Sequence, residues 1–153
     1  MIDHVKILRI HSRLPVVLPE RVTTGLLNAL KSTHLKPVMV IHCNHPHEID
    51  EHVTQAMLHL HSAGIAVLNQ SVLLKEINDS AAVLAELSEK LFAIHVLPYY
   101  LHLLDKVTGV QHFEVTETAA KAIHQQLQQC LPGYLVPRLV REIAGAPAKV
   151  WIF

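Results

Sequence analysis

The chain has 153 residues, half of them apolar, with 17% charged side chains and a formal net charge of zero. That length suits one domain with a real core, and the zero net charge gives no electrostatic support to a nucleic-acid or membrane-surface role. The charged fraction falls below the roughly 25% usual for soluble domains, and a mean hydropathy of +0.29 implies a chain that buries much of itself or expects a partner.

Val5-Lys6-Ile7-Leu8-Arg9-Ile10 reads as the first strand. Beyond Pro15 and Pro19, Val22, Leu26, Leu27 and Leu30 recur at helical spacing. Pro37 to Ile41 is a continuous apolar run of the kind buried parallel strands use. Ile49, Val53, Met57 and Leu60 then form one stripe of a helix that Gly64 ends. Ile65 to Leu68 is the third strand, and Asn78-Asp79-Ser80 caps a helix carrying Val83, Leu84, Leu87 and Leu91. Val96 to Leu103 is the fourth strand, interrupted by Pro98. The last helix, from about Thr116, places Ala119, Ile123 and Leu127 on one face and stops near Pro132-Gly133. Tyr134 to Ile143 offers a fifth strand.

This alternation predicts an α/β fold with a parallel sheet and right-handed crossovers. Four to five strand–helix units are too few to close an eight-stranded barrel, and the Gly-x-Gly-x-x-Gly turn of dinucleotide-binding sheets is absent. Part of a larger barrel accounts for both the count and the shortage of charge. No apolar run approaches the ~18 residues of a membrane span, and Met1-Ile2-Asp3-His4 shows no signal-peptide pattern. Cys43 and Cys130 are too few for a disulfide framework; a cytoplasmic setting is expected.

Polar residues crowd the end of each strand: His11-Ser12-Arg13, then His42-Cys43-Asn44-His45-Pro46, then Asn69-Gln70-Ser71, and Asp105-Lys106. In repeating strand–helix folds such residues point into a site at one face, and Asp105, where an apolar strand stops on an acid, is the first candidate to touch a substrate. The run from His42 to His47 holds three histidines and a thiol, a set zinc accepts. The chain's other histidines sit beside ordinary polar residues on predicted helices, so compositional bias accounts for them and no metal site is assigned.

The segments Arg9 to Pro15, His42 to Pro46, Leu68 to Leu74, Ile77-Asn78-Asp79, Pro98-Tyr99-Tyr100, Gly109 to Phe113 and Gly133 to Pro137 together resemble lysine 2,3-aminomutases, in order, from about residue 5 to residue 149. The resemblance is strongest to the branch that makes (R)-β-lysine for elongation factor P. It implies a partial (β/α)6 radical S-adenosylmethionine barrel that uses pyridoxal phosphate and a [4Fe-4S] cluster, in enzymes that form homo-oligomers. By this resemblance His42 and Gln70 line the S-adenosylmethionine pocket. Asp105 holds the distal ammonium of a lysine-like substrate, and Glu142 occupies the place of a second substrate acid. Lys149 carries the Schiff base with pyridoxal phosphate, although its approach, Ala144-Gly145-Ala146-Pro147-Ala148, is richer in alanine than the family's glycine-rich loop. The Cys-x-x-x-Cys-x-x-Cys loop that ligates the cluster is not in this sequence.

The expectation is therefore a single incomplete barrel domain over residues 1–153, corresponding to the carboxyl-terminal part of such an isomerase without its cluster-binding half, and incompetent for turnover alone. Two alternatives stay open: a subunit of a split enzyme completed by an amino-terminal partner chain, and a non-catalytic remnant acting as a small-ligand or protein-binding module. A histidine-rich metal binder is a third.

Overall fold

The computed structural model describes residues 4–105 and 108–153. The opening Met1-Ile2-Asp3 and the strand-end Lys106 lie outside the described residues. Five strands, β1 (Ile7–Ser12), β2 (Lys36–Ile41), β3 (Ala66–Val72), β4 (Val96–His102) and β5 (Arg138–Arg141), lie side by side in sequence order, all parallel. The helices between them are α1 (Leu14–Val17), α2 (Thr24–Lys31), α3 (Glu51–Ser62), α4 (Ala81–Ala93) and α5 (Glu117–Cys130). Parallel neighbours need a crossover of this kind because a tight hairpin cannot join them.

Helix starts follow capping chemistry. The side chains of Thr23, Asp50, Ser80 and Thr116 each accept from a backbone N–H in the first turn of α2, α3, α4 and α5, satisfying donors that have no partner inside the helix. Gly64 stops α3 with φ +76, a left-handed conformation that glycine adopts without steric cost.

The core lies on the helix-covered face of the sheet, in two clusters. One gathers Met39, Ile41 and Val67 from the sheet with Val53, Met57, Leu60, Leu87 and Leu91 from helices. The other gathers Leu101, Leu103 and Leu139 with Leu84, Ala120 and Leu127. The opposite face is open and partly apolar: Ile7 is 60% exposed, Leu97 44% and Trp151 47%. Among the described residues no helix is long and apolar enough to cross a membrane.

Five expectations change in detail. The first strand runs on through His11 and Ser12. In α5 the buried positions are Ala120 and Leu127, with Ala119 exposed, so the inward stripe is Ala120–Ile123–Leu127. Of Tyr134 to Ile143 only Arg138–Arg141 is strand, because Gly133–Leu135 forms a 3-10 turn first. The sheet is also not wholly parallel: β6 (Val150–Trp151) turns back antiparallel onto β5 after the Gly145 turn, where φ is +82. Pro98 does not interrupt β4. Asn69 pairs with Pro98 and Gln70 with Tyr100, so the strand absorbs one extra residue, Tyr99, as a bulge. A proline, lacking an N–H, is tolerated in a strand at such a place.

Candidate active site

Strand parity sorts the polar strand ends into two sets. Side chains alternate across a strand; on β3, Val67, Asn69 and Ser71 are buried toward the helices, while Leu68, Gln70 and Val72 lie on the open side.

The helix-side set is scaffold. Asn69 Oδ1 accepts from the Cys43 N–H at 2.9 Å, and its Nδ2 donates to the Cys43 carbonyl at 3.0 Å and to Ser71 Oγ at 2.9 Å. Fully buried Asn78 accepts from the Leu74 N–H at 2.7 Å and donates to the carbonyls of Asn44 and Val72 at 2.8 and 2.9 Å. Glu48 Oε1 accepts from the Asn44 and His45 N–H groups at 2.7 and 2.9 Å, while its Oε2 takes Arg13 at 2.8 Å. These bonds satisfy backbone that the strand ends would otherwise leave unpaired, and they tie together the loops after β1, β2 and β3. Within the zinc-spaced run, the buried Cys43 thiol donates to the His45 carbonyl at 3.5 Å. Burial, reinforced by the Glu48 carboxylate, pushes that thiol up to about 12. His45 Nδ1 accepts from the His47 N–H at 3.1 Å. Among the described residues no group of three or more His, Cys, Asp or Glu is arranged to hold a metal ion.

The open-side set forms a contiguous cluster. Lys149, just before β6, donates from Nζ to the Glu142 carboxylate just after β5, and lies 3.1 Å from His102 Nε2 at the end of β4. The same ammonium sits 5.3 Å from the ring centroid of Tyr100, whose ring meets His102 edge-on at 5.8 Å. His42 and His11 meet edge-on at 6.2 Å. Burial, then the charge of Lys149, holds His102 below the ordinary histidine range. His42 is lowered by burial, then by Arg13 and Lys149, and His11 by burial, then by Arg9 and His42. Lys149, by hydrogen bond and by charge, holds the Glu142 carboxyl below the usual carboxylate range.

Each residue expected at the site is thus placed. Gln70 is the register partner of Tyr100, and His42 and Gln70 each follow by one residue the Ile41–Asn69 pair. Asp105 is exposed and shares with Glu142 a groove of about 690 Å³, also lined by Glu114, Glu117 and Arg141. Arg141 is engaged by Glu117 at 3.0 Å, so the groove favours a cation. Sequence reasoning gave no individual role to His102, Tyr100 or Glu48; it grouped His11 and Asn69 with the strand-end residues facing a site, and Asn78 with the cap of the next helix. The alternation of Tyr100 and His102 with buried Leu101 and Leu103 was the available signal for the first two.

No family model matches the chain. Over 148 residues it is 53% identical to the L-lysine 2,3-aminomutase of Haemophilus influenzae, covering 97% of this chain and 44% of that protein. The Escherichia coli L-lysine 2,3-aminomutase is 50% identical over 148 residues, and the Clostridium subterminale enzyme of the same name is 44% identical over 149, with 43% and 35% of those proteins covered. The chain is related to a carboxyl-terminal portion of the lysine 2,3-aminomutases. It spans less than half the length of these relatives. The fold is similar to a radical SAM methyltransferase from Sphaerobacter thermophilus, with a TM-score of 0.58 at 14% identity over 78% of this chain and 38% of that one. The sheet accordingly has the fold of part of an α/β barrel like the one in that structure.

The two cofactor sites expected of an aminomutase differ in what the residues offer. His42 Nε2 and Gln70 Oε1 are buried and have no hydrogen-bond partner among the described residues. Leaving such atoms unpaired costs about 1–3 kcal/mol each, and they fit the polar edges of a nucleoside or amino-acid moiety. Lys149 offers an amine on the same open face, which fits a carbonyl cofactor. Cys43, buried behind the sheet, and Cys130, on α5, do not fit a three-cysteine cluster loop.

Proposed function

We propose that this chain provides the cofactor- and substrate-facing part of a lysine 2,3-aminomutase-type isomerase, moving an amino group between the α and β carbons of lysine. The observation that carries it is the gathering of His42, Gln70, Glu142 and Lys149, with Asp105 beside them, at the carboxyl ends of parallel strands. Barrels of this kind place their chemistry there.

His42 and Gln70 would bind S-adenosylmethionine through their unpartnered atoms. That cofactor supplies a carbon radical able to take a hydrogen atom from a substrate. Lys149 would hold pyridoxal phosphate, which supplies an aldehyde that amines add to and a ring that takes up electron density. Asp105 would hold the distal ammonium of the substrate, a charge-assisted bond that fixes its length and orientation. The Glu142 carboxylate already binds one ammonium, that of Lys149. A carboxylate has a second oxygen and spare lone pairs, so Glu142 would serve a substrate cation beside Lys149. Assignment to the elongation factor P branch and to a cytoplasmic setting rests on the sequence resemblance.

A second reading, a subunit completed by an amino-terminal partner chain, is favoured by the apolar residues bare on the open face. A barrel half supplied in trans would cover them and bring the cluster. Residues 1–153 would then act as one incomplete barrel domain.

The test adds pyridoxal phosphate to the chain, reduces with borohydride and maps the adduct by peptide mass. Reduced pyridoxyl on Lys149, lost in Lys149→Arg, is the expected result. Labelling spread over the other lysines with none at Lys149 would overturn the reading, as would reductive cleavage of S-adenosylmethionine by the chain alone for the claim that a cluster must come from outside it.

A further inference from the structure

The Lys149 ammonium carries three protons and no lone pair, so every contact it makes is a donation. Three acceptors surround it: the Glu142 carboxylate, His102 Nε2 at 3.1 Å, and the π face of Tyr100 at 5.3 Å. This geometry fixes the tautomer of His102. Nε2 must hold a lone pair, and the ring proton sits on Nδ1. His102 is 6% exposed at the end of β4, where packing restricts its ring.

We propose that His102 is a positioning residue that aims the Lys149 amine across the open face while its ring is neutral, and releases it when the ring takes a proton. The proposal rests on Lys149 being the cofactor-binding amine. Protonation of Nε2 consumes the lone pair that accepts from Lys149 and sets two cations side by side. The ammonium then keeps Glu142 and loses its second anchor. Burial and the charge of Lys149 keep the ring neutral at physiological pH.

Among the described residues, the other charged or titratable groups facing this pair are Glu142 after β5, Asp105 beyond β4, Tyr100 on β4, His42 beyond β2 and His11 on β1. Glu142 and Asp105 favour the protonated ring, whereas Lys149 and His42 oppose it. Lys149 is therefore the partner whose removal moves the ring most clearly.

The first measurement needs no cofactor. The imidazole nitrogens are titrated by NMR in the parent chain and in Lys149→Met, with the His102 signals assigned by their loss in His102→Gln. The His102 midpoint is expected below the ordinary value of about 6.5 in the parent, and shifted upward in Lys149→Met. An unchanged midpoint would overturn the proposal whatever pyridoxal phosphate does.

The second measurement follows the reducible Lys149 adduct against pH. In the parent the adduct falls as pH drops through the His102 midpoint. In His102→Gln, whose carboxamide oxygen accepts the same bond at every pH, that inflection disappears while the adduct persists. In His102→Leu the adduct falls about tenfold across the range, the weight of one hydrogen bond. A His102→Leu profile matching the parent would overturn the proposal. Absence of any adduct in the parent sinks the cofactor reading and leaves the NMR result to judge His102 separately.

Discussion

Cys43 and His42 are neighbours on one strand end with opposite surroundings. The Cys43 side chain goes into the helix-side core at 0% exposure, and His42 stands on the open face with a buried nitrogen that has no hydrogen-bond partner among the described residues. A thiol raised this far by burial is unreactive as well as inaccessible. Iodoacetamide is therefore expected to label exposed Cys130 alone in the folded chain and both cysteines in urea, read by peptide mass. Native labelling of Cys43 would show that the loop after β2 opens. The sequence made the strand-end residues legible as a set but not their division. Asn69 and Ser71 looked like site residues because a side chain that binds backbone and one that binds a ligand are the same chemistry. Only the side of the strand each one faces separates them from Gln70.

α5 shows the same limit for an element. A stripe Ala119–Ile123–Leu127 and a stripe Ala120–Ile123–Leu127 share two members, and alanine is apolar at either place. The structure chooses Ala120, at 0% exposure against the core cluster that contains Leu101 and Leu139. Ala120→Leu is expected to destabilise the chain by about 1–3 kcal/mol through overpacking, and Ala119→Leu by no more than about 0.5 kcal/mol, measured by urea unfolding. Equal effects would place the helix in a different rotation. Existence and order of helices α2 to α5 and of strands β1 to β5 were readable because period and caps agree locally; the four-residue α1 was not. The antiparallel β6 was not. It is two residues long, and its pairing depends on the Gly145 turn bringing it back to β5.

At the scale of the whole molecule, one open face carries three lowered histidines and the lowered Glu142. The folded chain holds His11, His42 and His102 below the ordinary histidine value, so the unfolded chain binds protons that the folded one refuses. Stability then rises with pH in this window and falls as pH drops through about 6.5. Glu142, lowered by Lys149, adds the same sign further down: its contribution is present above the unfolded carboxylate pKa and is lost as pH falls through the lowered one. The urea midpoint is expected to decline steadily between about pH 8 and pH 5, more shallowly in His42→Gln. A flat profile would mean that the open face is equally wet in both states.

The bulge at Tyr99 gives this face a reading frame. Were Tyr99 paired in register instead of bulged, everything downstream on that strand would change sides: Leu101 and Leu103 would enter the site and Tyr100 and His102 the core. The layout of the open face therefore depends on Tyr99 standing outside the pairing as much as on the residues that flank it. A residue added to the paired part of the strand displaces both anchor and core in one event, whereas loss of Tyr99 itself leaves the alternation on either side intact.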